Sequence, residues 1–121
     1  MYKAIIIEDE YPTMELMKFM LERSEKYTII GTFSNPLEAL EYIGQLSPDV
    51  TFIDIEMPKM NGFELAKQIR NQNFMTEIVF ATAYKKYEQE AKKLDIIDFI
   101  HKPVTFNAIL NITKMIDMKR S

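Results

Sequence analysis

Short runs of apolar residues alternate with stretches of helical periodicity along the whole chain. Between and after the runs, apolar residues recur at steps of three and four, which predicts amphipathic helices. Helix-start signals precede three of them, at Pro12, Asn35-Pro36 and Thr105. A lysine-rich helix is predicted over 87–94. Continuous apolar runs that end in polar residues or turn signals are typical of buried parallel strands. The predicted strands cover 4–7, 27–33, 50–53, 78–81 and 96–100.

Strand and helix therefore alternate five times, which predicts an α/β fold of the doubly wound (βα)5 type. The expected architecture is a flavodoxin-like three-layer sandwich, with a parallel five-stranded sheet in the order 2-1-3-4-5. Residues 1–121 fit one domain. In such sheets, ligands bind at the carboxyl ends of the strands, where the strand order reverses.

Chemically distinctive side chains follow four of the predicted strands at that edge. They are Glu8, Asp9 and Glu10 after the first strand, Asp54 after the third, Thr82 after the fourth and Lys102 after the fifth. Crowded carboxylates repel one another unless a cation lies among them, and oxygen-only ligands favour Mg²⁺. A carboxylate can attack phosphorus as a nucleophile, while a hydroxyl and an ammonium hold the phosphoryl oxygens. The pattern indicates phosphoryl transfer to an aspartate.

The segment Asp54-Ile55-Glu56-Met57-Pro58-Lys59-Met60-Asn61-Gly62 is the strongest motif in the chain. With Glu8-Asp9, Thr82-Ala83 and Lys102-Pro103 in the same order, it resembles the receiver (CheY-like) domains of bacterial two-component response regulators. The resemblance covers the whole chain. A narrower resemblance over residues 80–104 is to receivers attached to LytTR-type DNA-binding domains.

The resemblance implies a role for each of these residues. Asp54 becomes the phosphoacceptor, Asp9 a direct Mg²⁺ ligand, Glu8 a ligand through water, Glu56 a ligand through its backbone carbonyl, Thr82 the switch hydroxyl, Lys102 its cationic partner and Phe99 an aromatic switch. Lys102-Pro103 resembles a cis peptide of the family. Glu8 departs from the family pattern, in which Asp is commoner, so its coordination through water is expected to shift.

The same resemblance implies the partners. A sensor histidine kinase is expected to donate the phosphoryl group, and the chain's chemistry is expected to act on its own aspartate rather than to turn over a substrate. Phosphorylation is expected to form a homodimer through the fourth helix, fifth strand and fifth helix. The expected output is transcription, through a DNA-binding domain that these 121 residues do not contain.

Composition adds limits rather than a function. The chain has no cysteine, so disulfide and zinc-thiolate chemistry are excluded. The first apolar run spans only 4–7, too short for a signal peptide or a membrane span. We therefore expect a cytoplasmic location and no membrane partner. A net charge of −3 gives no sign of a nucleic-acid surface.

Several of these residues also have simpler interpretations. Taken alone, Thr82 is a good strand former and Lys102 an ordinary surface charge. Phe99 is equally compatible with a core aromatic.

Phe19 falls on the flank of the first predicted helix, between the sheet face and the solvent face. It either remains exposed as a docking residue or folds its ring over the edge of the sheet.

Three rival functions are open to a chain of this fold. A phosphohydrolase of the haloacid-dehalogenase type also uses an aspartyl phosphate, but its nucleophile follows the first strand in a DxD loop. A flavin or nucleotide binder needs Gly or hydroxyl donors after the first strand, where this chain has acids. A degenerate receiver would act only as a binding module, and the complete set of acids, threonine and lysine argues against it.

Overall fold

A computed structural model describes all 121 residues. The strands are β1 (Tyr2–Ile7), β2 (Tyr27–Phe33), β3 (Val50–Asp54), β4 (Glu77–Thr82) and β5 (Asp98–His101). The helices are α1 (Tyr11–Arg23), α2 (Pro36–Leu46), α3 (Gly62–Asn71), α4 (Glu88–Lys92) and α5 (Phe106–Arg120). All paired strands are parallel and follow the order β2-β1-β3-β4-β5, which confirms the predicted topology.

The core lies on both faces of this sheet. Every residue of β3 and β4 is buried, as expected for central strands covered on both sides. Alternate residues of a strand face opposite ways, so Ile53 packs with α2 and α3, whereas Phe52 packs with α1 and α5. The two clusters form the three-layer sandwich that the sequence predicts. No helix is both long enough and apolar enough to cross a bilayer.

Local signals define the helix starts as predicted. The Asn35 side chain accepts a hydrogen bond from the Leu37 N–H at 2.9 Å, and Pro36 occupies the first helical position of α2. Likewise, the Thr105 hydroxyl accepts from the Ala108 N–H at 3.1 Å and caps α5. These caps fix where the chain leaves each loop at the sheet edge.

The segment between β4 and β5 differs from its prediction. In place of one helix over 87–94, a 3₁₀ turn spans Lys85–Tyr87 and α4 covers only Glu88–Lys92. Ala91 is the one buried residue of α4, because a lysine-rich segment offers few apolar anchors to the core. β5 is also shifted, to Asp98–His101, since the apolar run that predicted it continues from the preceding loop.

Candidate functional site

Four strands bring their polar residues to one edge of the sheet, as predicted. Lys102 is held beside the end of β4 by its N–H, which donates to the Thr82 carbonyl at 2.8 Å. On the other side of β4, the Ile55 N–H donates to the Ala81 carbonyl at 3.1 Å, which aligns the residue after Asp54 with that strand. The Lys102-Pro103 peptide is cis, as the resemblance implies.

Gly62 fixes the return of the chain behind Asp54. A Cβ at this position would lie 2.7 Å from the Asp54 carbonyl oxygen and 2.8 Å from the Ile55 Cα. Both neighbours are backbone atoms, which cannot rotate away. The Gly62 N–H also donates to the Ile55 carbonyl at 2.7 Å. Glycine is therefore required for the close packing of α3 against the end of β3.

A buried ion cluster occupies the centre of the site. The Lys102 Nζ lies 2.7 Å from Glu8 Oε1 and 3.0 Å from Asp54 Oδ1. The Glu8 and Asp54 side chains are only 5% and 4% exposed, and that of Lys102 is 15% exposed. Because solvent screens them poorly, these charges interact far more strongly than surface ion pairs do.

The electrostatics of the cluster follow from this burial. Burial raises the pKa of Asp54 from 3.8 to about 8, the Glu8 carboxylate acts in the same direction, and the Lys102 ammonium acts against both. Burial by itself would lower the pKa of Lys102. Its hydrogen bonds to Glu8 and Asp54 and their negative charges outweigh burial, and the net effect is a raised pKa. Lys102 therefore stays charged, and it offsets only part of the carboxylate charge.

The donor set fits a hard divalent cation. Carboxylate oxygens of Glu8, Asp9 and Asp54 all lie within 4.8 Å of one another. Asp9 Oδ1 is buried without a hydrogen-bond partner, which is costly for a carboxylate oxygen unless a ligand satisfies it. Three oxygen donors and no nitrogen or sulfur favour Mg²⁺ over transition metals.

The cluster opens to solvent through a small crevice. Its volume is about 130 Å³, and its lining residues are Glu10, Asp54, Glu56, Thr82, Ala83, Tyr84 and Lys102. Pockets for drug-sized ligands and cofactors are roughly 300–1,000 Å³. The crevice is thus too small for a flavin or a nucleotide, but it has room for a hydrated ion or a phosphoryl group.

The other predicted residues lie around the cluster rather than in it. Thr82 lines the crevice, but its hydroxyl accepts from the Tyr84 N–H at 3.0 Å, within the turn after β4. Phe99 is half-buried on β5, and its ring packs edge-on against His101 with centroids 5.1 Å apart. Glu56 has an exposed side chain that accepts a hydrogen bond from the Tyr87 hydroxyl.

Sequence reasoning missed one contact at the site. Glu10, which the sequence placed at this edge without assigning it a role, lines the crevice. Tyr87 had no predicted role, yet its hydroxyl donates a hydrogen bond to Glu56 across 31 residues of sequence. No periodicity or motif indicates such a pairing, because it depends on where the short 3₁₀ turn before α4 ends.

Comparisons with known proteins agree with this geometry. Residues 4–114 match the family model described as the response regulator receiver domain. The chain is 36% identical to the sensory transduction protein LytT of Bacillus cereus, over 94% of this chain and 46% of that protein. It is 30% identical to the transcriptional regulatory protein YpdB of Escherichia coli, over 95% of this chain and 47% of that protein. The chain thus spans about half the length of the curated relatives it matches.

The structural comparison covers nearly the whole chain. The response regulatory domain of protein MrkE from Klebsiella pneumoniae matches with a TM-score of 0.87 and 30% identity, over 97% of this chain and 96% of that domain. The family model and this structural match thus both cover most of the chain, including the strand ends that form the site. This chain therefore belongs to the response regulator receiver family, and it is the receiver domain of a two-component response regulator.

Proposed function

We propose that Asp54 accepts a phosphoryl group from a sensor histidine kinase in a Mg²⁺-dependent reaction. The observation that carries the proposal is the buried cluster, in which the Asp54 carboxylate lies 3.0 Å from an ammonium and within 4.8 Å of a carboxylate oxygen of Asp9, a residue whose Oδ1 is buried without a partner. A loop acid or a helix cap needs neither feature. Labelling with acetyl phosphate and Mg²⁺, followed by mapping of the modified residue, tests the proposal.

In the proposed reaction, a carboxylate oxygen of Asp54 attacks the phosphorus of a phosphohistidine. The new O–P bond forms as the P–N bond breaks, and the electron pair returns to the imidazole of the kinase. The Lys102 ammonium then pairs with the phosphoryl oxygens as well as with Glu8, and the Thr82 hydroxyl turns towards them.

Glu8, Asp9, Asp54 and the backbone carbonyl of Glu56 are the groups proposed to hold Mg²⁺. When bound, the ion supplies the positive charge that lets an anionic donor approach several carboxylates. The protein's own part is to keep Asp54 dry, oriented and next to Lys102. On this account the chain modifies only itself and is not an enzyme acting on a separate substrate.

The same labelling experiment distinguishes the proposed function from one rival, a binding module that is never phosphorylated. The size of the crevice argues against a flavin or nucleotide, and the position of Asp54 at the end of the third strand, not after the first, argues against a haloacid-dehalogenase-type hydrolase. A receiver that only binds partners would show no labelling at all.

We further propose that the Thr82 hydroxyl couples phosphorylation to Phe99. Thr82→Ala is expected to accept phosphate but to lose one hydrogen bond to a charged group, on the order of 1.5–3 kcal/mol. The expected result is a smaller phosphorylation-induced change in the Phe99 amide shift, measured by NMR. Thr82→Ser keeps the hydroxyl and should retain the wild-type change. An equal change at Phe99 in Thr82→Ala and wild type would refute the coupling.

The output is proposed to be transcriptional, with the receiver acting through a DNA-binding domain outside these 121 residues. Support comes from the similarity to LytT and YpdB, which are about twice as long as this chain and are named as sensory transduction and transcriptional regulatory proteins. The proposed dimer uses the face formed by α4, β5 and α5. A groove of about 520 Å³ on this face is lined in part by Phe99, Ala108, Ile112 and Met115.

The proposed kinase-docking surface is the exposed flank of α1. Phe19 is 59% exposed, so its ring does not fold over the sheet edge, and Leu16 is 38% exposed. Phe19→Ala is expected to slow phosphotransfer from the cognate kinase several-fold, since exposed aromatics often contribute most at an interface. Labelling by acetyl phosphate should be unchanged.

The matched control for this prediction is Leu37→Ala, which truncates a 49%-exposed apolar side chain on α2 instead of α1. It should leave both reactions at the wild-type rate. Equal losses with both donors in Phe19→Ala would indicate damaged folding, and no loss with either donor would exclude Phe19 from the docking surface.

A further inference from the structure

Two exposed carboxylates stand at the mouth of the crevice. Glu10 and Glu56 both line it and both are exposed, whereas Asp54, which also lines it, is buried. An anionic phosphodonor must therefore pass the two outer carboxylates before it reaches Asp54. Like charges repel and slow the approach, so the position of each outer carboxylate bears on the rate of phosphoryl transfer.

The side chain of Glu56 is held by Tyr87. The Tyr87 hydroxyl, from the 3₁₀ turn before α4, donates a hydrogen bond to Glu56 Oε1. The phenol O–H can donate this bond, and the carboxylate oxygen of Glu56 accepts it. The Lys86 ammonium lies 5.1 Å from the centre of the Tyr87 ring and adds positive charge on the same side.

The position of the hydroxyl is itself fixed by the core. The Tyr87 ring packs edge-on against Phe63 of α3, with centroids 5.6 Å apart. Phe63 is 5% exposed and packs in turn against Phe80 of β4 at 5.2 Å. A donor anchored in this way restricts its acceptor to one region, whereas an unrestrained Glu side chain on an exposed loop samples several rotamers.

We propose that Tyr87 is a positioning residue for phosphoryl transfer, because its hydroxyl holds the Glu56 carboxylate on the α4 side of the crevice mouth, away from the path of anionic donors. The inference rests on the proposed function of Asp54 and adds to it a control of donor access. Tyr87 acts through Glu56 and takes no part in bond formation.

The test is the second-order rate constant for labelling by acetyl phosphate in four proteins. They are the wild type, Tyr87→Phe, Glu56→Gln and the double variant. Tyr87→Phe keeps the ring and its packing but frees the carboxylate, so labelling should slow by about two- to fivefold, the effect of a unit charge approaching a dianion in water. Glu56→Gln removes the charge, so the Tyr87→Phe substitution should have almost no effect in that background.

Ionic strength separates positioning from a structural effect. Salt screens exposed charges, with a Debye length of about 10 Å at 0.1 M and about 3 Å at 1 M. The difference between wild type and Tyr87→Phe should therefore shrink towards zero at high salt. Tyr42→Phe removes a hydroxyl from a 42%-exposed ring on α2, away from the crevice, and should label at the wild-type rate.

The outcomes bear on two different claims. Equal rates for wild type and Tyr87→Phe at low salt would overturn the inference about Tyr87. So would a loss in Tyr87→Phe that persists at high salt or in the Glu56→Gln background, because that would report disturbed packing. Absence of labelling in all four proteins would instead contradict the proposed function of Asp54.

Discussion

Replacement of Asp54 by Asn is expected to abolish labelling by acetyl phosphate. The amide has nearly the same shape and can still accept a hydrogen bond from Lys102, but it has no anionic oxygen to attack phosphorus. The rate should fall by at least about 100-fold, which corresponds to about 2.7 kcal/mol of barrier. Intact-protein mass spectrometry over time measures how fast each protein gains a phosphoryl group and therefore the loss in rate.

The fold should survive this substitution, which makes the loss interpretable. The pKa of Asp54 in the folded chain, about 8, lies above its ordinary value of 3.8. The folded state therefore favours the protonated form, and ionisation opposes folding increasingly as the pH rises from 3.8 to about 8. A neutral Asn avoids this penalty, so the unfolding temperature of Asp54→Asn at pH 7 should be no lower than that of wild type. Labelling of Asp54→Asn at the wild-type rate would show that another residue accepts the group.

Removal of the divalent cation is expected to have a comparable effect. In excess chelator, an anionic donor meets the acidic cluster with only Lys102 to offset it, and the raised pKa of Asp54, about 8, keeps that carboxyl largely in its protonated, non-nucleophilic form at pH 7. Labelling of the wild type should fall to background, and Asp9→Ala should remain slow even when Mg²⁺ is present. The measurement is the labelling rate as a function of Mg²⁺ concentration in both proteins.

Stability gives an independent readout of the same metal site. Because Asp9 Oδ1 is buried without a partner, Asp9→Ala should not destabilise the metal-free protein. Mg²⁺ at 100 times its Kd should raise the free energy of unfolding of the wild type by about 2.7 kcal/mol, and that increase should vanish in Asp9→Ala.

The matched control is Glu10→Ala, which removes an exposed carboxylate of the same acidic run that lies outside the metal-binding set. It should keep the Mg²⁺-dependent increase in stability. An equal Mg²⁺-dependent increase in stability in Asp9→Ala and wild type would show that Asp9 holds no ion, and the proposed metal site would be disproved.

The sheet order and the place of the site were predictable because both follow from simple geometry. Continuous apolar strands alternating with helices leave few topologies, and parallel strands bring their carboxyl ends to one edge. The positions of Glu8, Asp9, Asp54 and Lys102 at that edge follow directly from the strand ends. The sequence pattern predicted that these side chains lie close together, and in the structure they do.

The details that depend on rotamers and on weakly anchored segments were not predictable. Nothing in the sequence indicates that the Thr82 hydroxyl would bond to the turn after β4 or that Tyr87 would reach Glu56. The short α4 was missed because propensity predicts a longer helix, whereas Ala91 alone anchors it in the core. The exposure of Phe19 was an open alternative, since a residue on the flank of a helix can turn either way.

The residue that carries the phosphoryl group in wild-type protein tests the central claim most directly. After labelling with acetyl phosphate and Mg²⁺, borohydride reduces an aspartyl phosphate to homoserine, which peptide mass spectrometry locates in the chain. We predict a single modified position, Asp54, and none when Mg²⁺ is chelated. Modification of Asp9, Glu8 or any residue outside the crevice, with Asp54 unmodified, would contradict it.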